Sequence, residues 1–142
     1  MRPIVGLSVV QLSTRIVVEF TLTGVEWEVI CGRMKSILAS GTPTMVGKLP
    51  TSAVLRAQAI GEPQGLMKIL IGANDDRILG FTMIGSEAGE VMAVVQTAII
   101  AGLPYPRLRD AVLTHPTMAE GLGFLLASVP ARNLQTPQTS TV

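Results

Sequence analysis

Apolar residues are spaced differently in three zones of this 142-residue chain. In the first, residues 4–10 and 15–22 are dense in Val, Ile and Thr, the composition of strands. Residues 25–39 then place Val25, Val29, Met34 and Leu38 near helical spacing, with Gly41 and Pro43 beyond them as stops. In the second zone, residues 66–71 and 77–84 are β-rich runs joined by Gly72-Ala73-Asn74-Asp75-Asp76, a set of turn-formers. That pattern predicts an antiparallel hairpin. Residues 54–60 read as a further strand, because Gly61-Glu62-Pro63-Gln64-Gly65 reads as a connecting turn.

Beyond the hairpin the period lengthens to that of helices. Ser86 is placed as an N-cap, and Glu87 and Glu90 sit where negative charge suits the helix dipole. This helix runs to residue 101, with Gly102 as its stop and Pro104 after it. A shorter helix is predicted over residues 106–113, opened by a proline at a favoured first-turn position. The last is predicted over residues 117–128. From Pro130 the chain turns polar, which reads as a frayed tail. Strands first and helices after predict an α+β fold, an antiparallel β-sheet with helices on one side. The implied divisions are an atypical segment over residues 1–45 that partly completes the sheet, a main domain over 46–129, and a flexible tail over 130–142.

Composition narrows the function. Hydrophobic residues are 48% of the chain and charged residues 15%, with a mean hydropathy of +0.49. So much apolar surface must be covered by the fold or by a partner. A membrane span is excluded by length: the most apolar run, residues 91–103, is too short, contains Gln96 and follows Glu87 and Glu90. Net charge is +1. Arg56, Lys68, Arg77, Arg107 and Arg109 form no stripe and aromatics are 4%, which argues against nucleic acid as a partner. A single cysteine, Cys31, excludes an intrachain disulfide or a Cys-pair redox centre within this sequence and points to a cytoplasmic setting. Arg2 and the apolar residues 4–12 lack a small-residue cleavage site, so a secretory signal is not expected.

The candidate chemistry is concentrated in His115-Pro116-Thr117-Met118-Ala119-Glu120, which holds the chain's one histidine. Imidazole titrates near neutrality, and a carboxylate can orient it and stabilise its charged form. Pro116 restricts His115 to extended backbone and so sets the ring's direction. Thr117-x-x-Glu120 is also a capping box, a structural role compatible with the first. Other candidates have plainer explanations. Asp75 and Asp76 are turn residues rather than a metal pair. Gly85-x-x-x-Gly89 lacks the Lys-Ser/Thr of a phosphate loop, and no Gly-x-Gly-x-x-Gly occurs, so no cofactor-binding or metal residue is assigned. Met34, Met67, Met83 and Met92 read as fillers of core or interface gaps.

The sequence His115-Pro-Thr-x-x-Glu120 resembles the C-terminal signature of the flavin-dependent pyridine nucleotide-disulfide oxidoreductases, the glutathione reductase and dihydrolipoamide dehydrogenase family. Gly65-Leu-Met-Lys68 followed by Arg77-Ile-Leu-Gly80 is similar to that family's paired strands. Ala88-Gly-Glu90, then Ala101-Gly-Leu103, is similar to the helix that follows them. The resemblance covers about residues 46–129, and its wording is nearest to mercuric-reductase-like and related bacterial members. Mercuric reductases proper, however, generally carry tyrosine where this chain has His115. Residues 1–45 match poorly, as a truncated gene or a recruited fragment with a new N-terminus would.

In that family this region is the interface domain. The resemblance implies a homodimer, with His115 reaching the partner's active site as acid/base for a cysteine pair beside the flavin and Glu120 orienting it. It also implies a cis His115-Pro116 peptide. The family uses FAD and NAD(P)H, and this sequence carries neither binding fingerprint nor the cysteine pair. The expectation is therefore a freestanding dimerisation domain, not catalytic alone, in which His115 and Glu120 are vestigial. Alternatively, it is a subunit supplying the His115–Glu120 pair in trans to a flavoprotein disulfide reductase, or a small binding module on the same scaffold.

Overall fold

A computed structural model describes residues 6–12, 15–21 and 39–131, the first two ranges by backbone only. Five strands form one antiparallel sheet: β1 (Gly6–Leu12), β2 (Arg15–Thr21), β3 (Thr44–Pro50), β4 (Leu66–Gly72) and β5 (Ile78–Ile84), in the order β2-β1-β5-β4-β3. The predicted hairpin is β4–β5, closed by Gly72 N–H to Arg77 O at 2.9 Å and Asp76 N–H to Gly72 O at 3.1 Å. Within that turn Asp75 Oδ1 accepts from Arg77 N–H at 3.2 Å, and Asp76 adopts φ +59°. Both aspartates thus serve the turn. β1 and β2 pair with each other, and β1 adds to β5 through Gly6↔Ile84 to Val10↔Gly80, so the first segment extends the sheet. The helix expected over residues 25–39 lies, save for its last residue, outside the described residues, as does most of the predicted tail.

Side chains alternate across the sheet, as the period of a strand requires. Met67, Ile69 and Ile71 of β4 and Phe81 and Met83 of β5 face one side, where all five are buried. Two helices cover that face: α2 (Ala88–Ile100) lies over β5 and β1, and α4 (Gly121–Ala127) lies over β3 and β4. Helix α2 buries Ala88, Val91, Met92, Val95, Ala98 and Ile99, the i, i+3, i+4, i+7 stripe that turns one side of a helix to a core. Leu122, Leu125 and Leu126 of α4 complete the layer. Each fully buried aliphatic side chain contributes about 1.5–3 kcal/mol relative to exposure. Leu70 points the other way and forms a small second cluster with Val46 and Leu79. Of the four methionines read as fillers, Met67, Met83 and Met92 are buried in the main core, and Met34 lies outside the described residues.

Four expectations are corrected. Residues 54–60 form no strand. They carry a 3-10 turn's end and the helix α1 (Leu55–Ala59). Val54 and Ala57, three apart, are the buried positions, and Gly61 at φ +72° ends the helix. The end has Schellman geometry, with Gly61 N–H to Gln58 O at 3.1 Å and Glu62 N–H to Ala57 O at 2.9 Å. The strand missing from the prediction is β3. Ser86 does not cap α2: Glu87 takes that place in a left-handed conformation at φ +56°, with no side-chain cap bond. Its carboxylate is held instead by Arg56, whose Nε and Nη2 donate to Oε1 at 3.0 and 2.8 Å. The short helix α3 (Tyr105–Arg109) begins one residue early, with Pro106 in its first turn, and stops at Asp110 rather than 113. The last helix starts at Gly121, not Thr117. The reason lies in the loop before it.

Candidate acid/base site

Residues 111–120 form an irregular loop between α3 and α4 that is pinned at few points. Met118 is buried in the main core and fastens the loop to it. Gly121, the first residue of α4, brings the chain so close to Val54 that an added Cβ would lie 2.7 Å from Val54 Cγ2 and 3.3 Å from Met67 Cε. The His115-Pro116 peptide is cis, as the resemblance implied. Residues 115–118 are bends and residues 119–120 a turn, so the hydrogen-bonded helix begins only at Gly121.

The two predicted site residues meet. His115 Nδ1 lies 2.6 Å from Glu120 Oε2. An ionised carboxylate can only accept, so Nδ1 carries the proton and, in the neutral ring, Nε2 keeps its lone pair. The imidazole is 64% exposed and the carboxylate 13% exposed, so the ring is presented outward on a mostly buried carboxylate. Among the described residues Nε2 has no hydrogen-bond partner. Glu120 Oε1 is buried and also lacks a partner among them.

Half of the predicted capping box is present. Glu120 N–H donates to Thr117 Oγ1 at 3.3 Å, but the glutamate side chain turns to His115 instead of reaching back to the threonine N–H. A feature missed from the sequence is the second bond of that hydroxyl, which donates to Thr114 O at 2.6 Å. Thr114 sits in no recognisable pattern. Its role depends on the path of the loop, which the linear spacing does not disclose. Nearby α3 carries Arg109, whose guanidinium stands 5.9 Å from the Tyr105 ring centre and bonds Asp110 at 2.7 and 3.0 Å. The hydrogen bond from Arg109 holds the Asp110 carboxyl below the usual carboxylate range, with the charges of Arg109 and Arg107 assisting.

The described glycines form no phosphate-binding loop. Gly47, Gly65, Gly85 and Gly121 are occupied in close packing against the chain itself, and Gly41, Gly61 and Gly102 are open but isolated positions rather than a phosphate cradle. Among the described residues no group of three or more His, Cys, Asp or Glu side chains could hold a metal ion. No described helix is long and apolar enough to cross a membrane.

Comparison with known proteins places this arrangement. Residues 33–124 match the family model of the pyridine nucleotide-disulphide oxidoreductase dimerisation domain. A dihydrolipoyl dehydrogenase of Thermus scotoductus is 35% identical over 100 residues, covering 70% of this chain and 22% of that protein. Among solved structures, the HOCl-induced flavoprotein disulfide reductase RclA of Escherichia coli is similar with a TM-score of 0.64 and 32% identity over 66% of this chain and 21% of its own. The LpdA protein of Mycobacterium tuberculosis, at 16% identity and a TM-score of 0.61 over 66% of this chain and 20% of its own, shares the fold. The chain spans about a fifth of the length of these relatives. With a family model covering most of its length, this chain belongs to the dimerisation-domain family of the FAD- and NAD(P)H-using pyridine nucleotide-disulfide oxidoreductases.

Proposed function

We propose that residues 46–129 pair two copies of this chain, and that His115 and Glu120 are the acid/base pair they bring to a disulfide-reducing site. The observation that carries this reading is the 2.6 Å contact between His115 Nδ1 and Glu120 Oε2 beneath an exposed ring. Glu120 fixes the ring's tautomer and orientation. His115 Nε2 takes a proton from an attacking thiol and returns it to the leaving thiolate. Only Cys31 occurs in this sequence, so the thiol pair and the cofactors belong to another part of the protein or to another polypeptide. By itself this chain is then not catalytic, and its setting is cytoplasmic. The sparse charge of the chain and the exposed side chains of Leu55, Ile100, Val112 and Phe124 support a covered face.

The test combines mass and rate. Light scattering on the size-exclusion peak is expected to give twice the chain mass. A family reductase deprived of its own dimerisation domain, mixed with this chain, is expected to co-elute with it and regain NAD(P)H-dependent disulfide reduction. The His115→Ala chain should co-elute equally but give a rate lower by about 10²–10⁴-fold, the usual contribution of a positioned acid/base. A stable monomer would remove the pairing. Equal rescue by His115→Ala would remove the acid/base role.

A further inference from the structure

We propose that Thr117 is a positioning residue for the His115–Glu120 pair, acting through a single hydroxyl that ties together the backbone on both sides of it. This rests on the acid/base reading above. Thr117 Oγ1 donates to Thr114 O at 2.6 Å and accepts from Glu120 N–H at 3.3 Å. One atom thus links the residue just before His115 to Glu120 itself. The two bonds use both capacities of the hydroxyl, as donor and as acceptor. A methyl in its place supplies neither.

Nothing else described near the pair makes this link. In a complete capping box the glutamate side chain helps fix the helix start by reaching back to the threonine backbone. Here that carboxylate is committed to His115, so the threonine hydroxyl is what holds the Glu120 N–H, while Glu120 O accepts from Gly123 N–H at 3.1 Å in the first turn of α4. Met118 fastens the loop to the core from the far side, but its side chain makes no bond to either member of the pair. The Glu120 main chain is αR at φ −60°, ψ −25°, with no side-chain cap bond at that position. Gly123 N–H ties its carbonyl to α4, and the N–H bond to Thr117 is what ties it back to the loop that carries His115. Loss of the hydroxyl frees the backbone at residues 114 and 120 to move apart, and the carboxylate moves with residue 120.

The tautomer of His115 reports this directly. An imidazole whose Nδ1–H is fixed to a carboxylate holds the Nδ1–H form, whereas imidazole free in water favours Nε2–H. Two-bond and three-bond ¹H–¹⁵N correlation spectra of the full chain, recorded above pH 8, distinguish the two forms for the single histidine. The native chain and Thr117→Ser are expected to show Nδ1–H as the main form. Thr117→Val and Glu120→Ala are expected to shift the populations several-fold toward Nε2–H, with dispersed amide spectra showing that both remain folded. An unchanged tautomer in Thr117→Val beside a shifted one in Glu120→Ala overturns the role of Thr117 and leaves the pair intact. An unchanged tautomer in Glu120→Ala overturns the pair itself. Should Thr117→Val fail to fold, the native chain decides: a slowly exchanging Thr117 hydroxyl proton supports the bridge, and one in fast exchange with water overturns it.

Discussion

Replacing Gly121 with alanine tests whether the closeness of α4 to Val54 sets the fold around the site. In most helices this change stabilises, because glycine is about 1 kcal/mol less favourable than alanine, and less so at a helix's first residue. Here the new methyl would sit 2.7 Å from Val54 Cγ2, well inside the 3.5–4.0 Å optimum for two carbons. Val54 has no room to yield: it is fully buried, and its N–H is bonded to Thr51 O at 2.9 Å. Forcing a methylene-sized group into such a site costs about 1–3 kcal/mol. The clash outweighs the propensity, and Gly121→Ala is expected to destabilise by about 1–2 kcal/mol. Val54→Ala alone should cost about 2 kcal/mol, from two methyls at about 0.8 kcal/mol each and the cavity they leave. In the double variant the methyl added at position 121 occupies that space, so the two changes should fall short of additivity by at least about 1 kcal/mol, on the order of the clash itself. Urea unfolding at one fixed protein concentration measures all four corners of this cycle. Additive losses, or a Gly121→Ala chain as stable as the native one, would falsify the steric account.

Two glycines separate crowding from backbone strain. Gly65→Ala would put Cβ 2.1 Å from Ile84 O at a φ of +149°, and is expected to cost more than about 3 kcal/mol or to abolish folding. Gly102→Ala meets nothing within 4 Å and should cost only the left-handed penalty at φ +62°, about 1–2 kcal/mol; thermal unfolding of the pair ranks them. Asp110 is expected to titrate below an ordinary aspartate in a carbon-detected pH series, and Arg109→Ala should return it upward. Because its folded-state value is the lower one, any stability it adds is present above the ordinary carboxylate range and fades as pH falls through the depressed value. The pair is solvent-exposed, so the unfolding midpoint should not move measurably with Arg109→Ala.

What could be seen in the sequence follows the range of the interactions. The β4–β5 hairpin and α2 are specified by neighbours, through turn-formers between β-rich runs and through apolar positions at helical spacing. Gly102 was legible as a helix end because a long periodic segment precedes it. Gly61 ends a helix by the same pair of bonds, yet only five helical residues precede it, too few to display a period. β3 was hidden for a different reason. Its alternation passes through Gly47, a poor strand residue. That glycine is there because Leu125 O, Ile69 Cγ2 and Val129 Cγ2 all lie about 3 Å from where its Cβ would be. Such a requirement is set by a helix far along the chain. The meeting of His115 and Glu120 was foreseeable from their spacing and the proline between them. The departure from a full capping box was not, since it depends on which of two nearby partners the carboxylate takes.

Ser128, just past α4, has an effect that reaches beyond the packing of one helix. Its hydroxyl accepts from Lys48 N–H at 3.1 Å and lies 3.2 Å from Lys48 O, while bonding Leu125 O at 2.6 Å. Lys48 lies on β3, an outer strand of the sheet, and the groups that Ser128 engages are those an incoming strand would need. A lysine at that position and Pro50 at the strand's end deter pairing further. The pairing proposed for this chain would have to compete with association through that edge. Where one copy's β3 met another's β2, sheet continuation would be open-ended, adding copy after copy into a fibre, whereas a two-fold pairing closes at two. One serine hydroxyl just past the last described helix therefore closes part of the β3 edge to that open-ended growth.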